Sequence, residues 1–163
     1  MNPNAPASPP ASPARRRVLA GAAALAALPS LSSPPAAAAL PELPEIPELT
    51  AFLAGRTPRI ERLVLTLPRL ADDGNAVPAR ISMPGPFAPG AAVRTVVLYS
   101  ERNPVHTIVM IDYLQPAARV ELETRIRLAG TQRLVAVAAL ADNTVYAAIA
   151  EVEVSASACL DGT

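Results

Sequence analysis

From Ile60 onward apolar and polar residues alternate, the two-residue period of strands with one dry face and one wet face. The clearest case sets Val120, Leu122, Thr124, Ile126 and Leu128 against Arg119, Glu121, Glu123, Arg125 and Arg127, a solvated stripe. Glu61–Leu67 and Val77–Met83 read as strands too, and Asp72-Asp73-Gly74-Asn75 between them supplies residues that accept tight-turn backbone. Val93–Ser100 and Thr107–Leu114 are rich in β-branched residues and are parted by Glu101-Arg-Asn-Pro104. Arg133–Leu140 and Asn143–Val154 follow, with turns at Ala129-Gly130 and Ala141-Asp-Asn143. The alanine-rich runs Val135–Leu140 and Tyr146–Ala150 could form helices, but their flanking valines and short turns favour strands. About seven short strands without a long helix predict an all-β fold, an immunoglobulin-like β-sandwich followed by a short C-terminal arm.

The pattern is different before Ile60. Leu40 to Leu49 has a proline at every third position, which suits an extended polyproline spacer and opposes a helix interior. Thr50 to Gly55 predicts one helical turn, capped by Thr50 and stopped by Gly55. Further upstream, Arg15-Arg16-Arg17-Val18-Leu19 precedes the apolar run Ala20–Leu31, the order of an export signal. The pattern resembles a twin-arginine signal with Arg15 and Arg16 as its pair, and Ala36 to Ala39 offers small residues for cleavage. The apolar run falls short of the ~20 residues that span a bilayer. The predicted organisation is therefore a signal peptide over 1–39, a Pro-rich linker with a short helical turn over 40–58, a sandwich over 59–154 and an arm over 155–163. The expected location is the periplasm, without stable membrane insertion.

Charge narrows the class of partner. Three of the 14 arginines lie in the leader, which leaves 11 against 14 acidic residues and argues against nucleic acid. Aromatic residues make up only 3% of the chain, so the core has little ring area and help from a second subunit is expected. Cys159 is the only cysteine and cannot close an internal disulfide. It sits among small and polar residues near the chain end, where a thiol is expected to be reachable.

His106 is the only histidine and reads as an ordinary loop residue. One histidine and one distant cysteine do not supply the roughly four convergent ligands of a zinc site. There is no Gly-rich phosphate loop, no G-x-S-x-G elbow and no Cys-x-x-Cys pair. Arg133 is the nearest cation to Cys159 in sequence, whereas Glu151, Glu153 and Asp161 are nearer and acidic, a setting that raises a thiol pKa. An accessible but unactivated thiol suits a handle for other enzymes better than a catalyst. No catalytic residue, cofactor or metal is expected.

Two stretches carry a resemblance. Leu65 to Pro78, containing Asp73-Gly-Asn75 ahead of Val77-Pro78, and Thr124 to Val137, beginning Thr-Arg-Ile-Arg-Leu, precede a β run that ends in Val152-Glu-Val154 before a terminal cysteine. In this order they resemble SoxY, the carrier subunit of the periplasmic thiosulfate-oxidising system. The resemblance implies an immunoglobulin-like sandwich, a SoxZ-like subunit as heterodimer partner, and a swinging arm. Its thiol, here Cys159, would hold thiosulfate-derived sulfur covalently for sulfur-processing periplasmic enzymes. The family arm is Gly-Gly-Cys-Gly-Gly, whereas this chain has Ser157-Ala-Cys-Leu-Asp161, which points to a SoxY-related paralogue with an altered arm. The alternative is a non-catalytic binding or assembly module in which the thiol is incidental.

Overall fold

The computed structural model describes residues 42–158, so the leader, with Arg15 and Arg16, and the chain from Cys159 onward lie outside the described residues. Two sheets face each other. The smaller contains β1 (Val64–Thr66), β3 (Val77–Met83) and β6 (Val120–Ile126) in the order β1-β3-β6, with antiparallel pairings. The larger has the order β2-β8-β7-β4-β5 and contains β2 (Leu70–Asp73), β4 (Val93–Ser100), β5 (Thr107–Ala117), β7 (Gln132–Leu140) and β8 (Val145–Ala156). The fold is the expected all-β sandwich, with eight strands among the described residues rather than about seven.

Alternation decides which faces meet. Ile81, Met83, Val120 and Ile126 of the small sheet pack against Val96, Leu98, Leu134 and Ala136 of the large one. Along β6 the stripe Arg119 to Arg127 is solvent-exposed, as its charges require. Pro78 fits within β3 because β1 pairs only as far as Arg80, so no bond to β1 is lost at the proline. The alanine-rich stretches are strands β7 and β8, paired from Gln132↔Val152 to Ala139↔Val145.

β4 and β7 read as nearly continuous apolar runs because the large sheet is covered on both faces. Its outer face carries Val97, Tyr99, Val135, Val137, Val145 and Ala147, all buried beneath the segment that the sequence pattern marks as a spacer. That segment turns into helix α1 (Pro47–Leu53), which seats Ile46 and Leu49 on the sheet at 0% and 1% exposure. The helix begins before Thr50. Pro47 occupies its first turn, where a missing N–H costs nothing, and the Thr50 hydroxyl donates back to the Ile46 carbonyl at 3.2 Å. Ala54 ends it in the left-handed conformation, φ 48°. Phe52 meets Tyr99 edge-on, ring centroids 6.4 Å apart, and the Arg56 guanidinium lies over Phe52 at 5.7 Å. Beyond the helix, Arg59 joins the sheet edge, its N–H donating to the Val145 carbonyl and its carbonyl accepting from the Ala147 N–H, both at 2.9 Å.

The Asp72-Asp73-Gly74-Asn75 turn is only partly a turn. Leu70–Asp73 forms β2 and runs parallel to the end of β8, with Leu70↔Glu153, Ala71↔Val154 and Asp73↔Ala156. The reversal falls on the 3-10 turn Gly74–Ala76, capped by the Asp73 carboxylate.

Candidate functional site: the root of the cysteine arm

The site is built from the end of β8, the turn after β2 and the loop between β6 and β7. Beyond Val152, β8 leaves β7 and pairs with β2 alone. Its Glu153 N–H donates to the Arg69 carbonyl at 2.9 Å, and its Val154 N–H donates to Thr131 Oγ1 at 2.9 Å. The Ala158 N–H then donates to the Leu128 carbonyl at 3.0 Å, while the Leu128 N–H donates to the Gly74 carbonyl at 2.8 Å. Ala158 is 5% exposed. The expected arm over 155–163 is therefore corrected at its start: Ser155 and Ala156 belong to β8, and Ala158 is packed and bonded. The reason is pairing with β2, a partner distant in sequence that the β8 pattern alone does not reveal. Cys159, the next residue, lies outside the described residues.

Gly74 is required by close approach. A Cβ there would fall 2.6 Å from the Leu128 carbonyl oxygen, 2.8 Å from the Ala158 nitrogen and 3.1 Å from the Ala156 carbonyl oxygen, all backbone atoms. The sequence signal was available, since glycine at a strand end often marks such an approach.

The β6–β7 loop is held from within by a buried polar knot. Gln132 Oε1 accepts from the Ser100 hydroxyl and from the Arg102 N–H at 3.0 Å, and its Nε2 donates to Asn103 Oδ1 at 3.1 Å. Asn103 Oδ1 also accepts from the Ala129 N–H at 3.0 Å, and Asn103 Nδ2 donates to the Arg127 carbonyl at 2.8 Å. His106 belongs to the neighbouring β4–β5 loop, where its Nδ1 donates to the Ser100 carbonyl at 2.9 Å. Among the described residues no three His, Cys, Asp or Glu side chains gather as a metal site, and no helix is long and apolar enough to cross a membrane.

Arg133, the nearest cation to Cys159 in sequence, is engaged. Its guanidinium makes a two-pronged bond to Glu101, at 3.1 and 2.8 Å, and this holds the Glu101 carboxyl below its ordinary pKa. At the arm root the Asn75 backbone and side chain, 2.8 and 2.9 Å from Asp73 Oδ1, lower the Asp73 pKa, and the Thr144 N–H does the same for Asp142. Carboxylates with depressed folded pKa values stabilise the fold above their unfolded pKa, and the contribution is lost as pH falls through the folded value. Tyr99 is shifted upward, mainly by burial, so its contribution is present below the unfolded value and lost on strong alkalinisation. The melting midpoint is expected to be flat from about pH 5 to pH 9, and to fall below about pH 4.5 and above about pH 10. Calorimetry across that range checks both limbs.

Residues 49–159, most of the chain, match the family model described as sulfur oxidation protein SoxY. The chain belongs to the SoxY family. SoxY membership implies a carrier role in sulfur oxidation as part of the Sox system, and the match runs to residue 159, the cysteine itself. The two stretches that carry the SoxY resemblance, Leu65–Pro78 and Thr124–Val137, are those that converge on the chain end through Gly74, Leu128 and Thr131. No curated protein matches the chain. Among solved structures, superoxide reductase (neelaredoxin) from Ignicoccus hospitalis is 17% identical, with TM-score 0.45, over 58% of this chain and 80% of that one. Superoxide reductase from Nanoarchaeum equitans is 14% identical, with TM-score 0.45, over 59% and 100%. Likeness at this level carries no functional meaning.

Proposed function

We propose that the chain is a periplasmic carrier, exported through its Arg15-Arg16 signal, that holds a sulfur-derived group on Cys159 while partner enzymes load, oxidise and release it. The observation that carries this reading is the SoxY match reaching Cys159. Joining an intact thiosulfate through its terminal sulfur to the thiol forms an S–S bond and releases the thiol proton and two electrons. Loading therefore needs an electron-accepting partner enzyme, and the carrier itself need not turn over. A tethered group meets successive active sites at high effective concentration. A SoxZ-like subunit is the proposed heterodimer partner.

A second reading is a binding or assembly module whose thiol is incidental. It is favoured by exposed apolar side chains on the edge strand β5, where Leu114 is 98% and Met110 54% exposed.

Intact-mass analysis of protein taken from its native periplasm separates the two. A sulfur adduct on Cys159, lost together with sulfur-oxidising activity in Cys159→Ser, is the expected result. An unmodified thiol and a fully active serine variant would establish the second reading instead.

A further inference from the structure

We propose that Gly74, Leu128 and Thr131 form a clasp that anchors the chain up to Ala158, so that Cys159 is delivered from a fixed point on the sandwich rim. This rests on Cys159 being the carrier residue, and it states what sets the reach of that thiol. An arm that swung freely from Val154 would let the cysteine Cα travel up to about 17 Å from its last anchor, at ~3.4 Å per residue over five residues. With Ala158 bonded to Leu128 the same Cα stands one peptide unit, about 3.8 Å, from an anchored neighbour. Partner enzymes must then come to the rim formed by the Gly74 turn and the β6–β7 loop.

Three independent contacts make the clasp. The Val154 N–H bonds to Thr131 Oγ1, the Ala158 N–H bonds to the Leu128 carbonyl, and the Gly74 backbone lies against Ala156 and Ala158 too closely for any Cβ. The loop side is the rigid one, because Arg127, Ala129 and Gln132 are tied into the knot around Asn103. A side chain added at Gly74 would press on both the Leu128 carbonyl and the Ala156–Ala158 backbone, and so pry the two halves of the clasp apart.

The test uses the full chain, whose single cysteine accepts a nitroxide label without competition. Two variants open the clasp by different means. Gly74→Ala inserts a Cβ into backbone contacts, and Ala158→Pro removes the N–H that Leu128 receives. In the unaltered protein the Ala158 amide should exchange on the order of 100-fold more slowly than an open chain, and the label at Cys159 should tumble slowly. In Gly74→Ala protection of the Ala158 amide should vanish, and in both variants the label should move several-fold faster, with the melting midpoint of Ala158→Pro and the protection of β4 and β7 unchanged. If Gly74→Ala fails to fold, the label mobility in Ala158→Pro carries the test alone. An unprotected Ala158 amide in the unaltered protein, or a label equally mobile with and without the substitutions, would overturn the clasp. These readouts do not involve the cargo, so a missing adduct on Cys159 would sink the carrier reading while leaving the clasp standing.

Discussion

Leu49→Ala is expected to lower the melting midpoint by roughly 10 °C, taking ~3 kcal/mol for a truncated buried leucine and ~4 °C per kcal/mol for a domain of this size. Leu49 is 1% exposed and, with Ile46, covers Val97, Tyr99, Val135 and Val137 on the outer face of the large sheet. The helix itself should offer little resistance to this loss, because α1 has only seven residues and no side-chain cap. A helix that short is not stable in isolation and depends on its packed face. Leu49→Asp should go further and strip the helix from the sheet, since a carboxylate there would be buried without a partner. Thermal melts followed by far-UV circular dichroism, with Tyr99 exposure read by near-UV absorbance, check both. A shift below about 2 °C for Leu49→Ala would show that the segment does not hold the sheet in solution.

Gln132→Leu is the second large effect. The substitution nearly keeps the volume but removes the acceptor of the Ser100 hydroxyl and the Arg102 N–H, and one donor to Asn103. Ser100, Asn103 and Gln132 are 0%, 8% and 4% exposed, so water cannot replace the lost partners without opening the loops. Orphaned buried polar groups typically cost about 1–3 kcal/mol each, and a total of about 3 kcal/mol is expected. Chemical denaturation should show a lower midpoint at unchanged slope. Because Ala129 is bonded to Asn103 and Leu128 adjoins it, the same variant should also weaken protection of the Ala158 amide. Gln132→Glu, which retains the acceptor, should recover part of the stability. Loss confined to the overall fold, with Ala158 unaffected, would separate the knot from the arm root.

Much of the sandwich was legible because its strands carry local patterns. Val77–Met83 and Val93–Ser100 run as the alternation and β-branched content indicated, and Val120 to Leu128 divides into the expected dry and wet faces. What escaped the sequence was set by distant partners. Leu70–Asp73 looks like the approach to a turn, and it is a strand only because Glu153–Ala156 lies beside it. Leu40–Leu49 carries a polyproline rhythm, yet the spacing from Ile46 to Leu49 is also one helical turn, and the apolar outer face of β4 and β7 selects that alternative. Of the candidate site, Cys159 is an expectation that cysteine arithmetic and resemblance supply, and it lies outside the described residues. The backbone acceptors that hold its neighbour could not be named, since a carbonyl leaves no mark in a pattern of side chains.

The bonds that fix the arm root lie at the rim, where hydrogen bonds open more readily than those of interior strands. Mild warming should therefore loosen the chain up to Ala158 while the sandwich is still intact. Under the proposed carrier role, handover would then fail at a temperature the domain itself survives, and the working range would be set by three contacts at the rim rather than by the core.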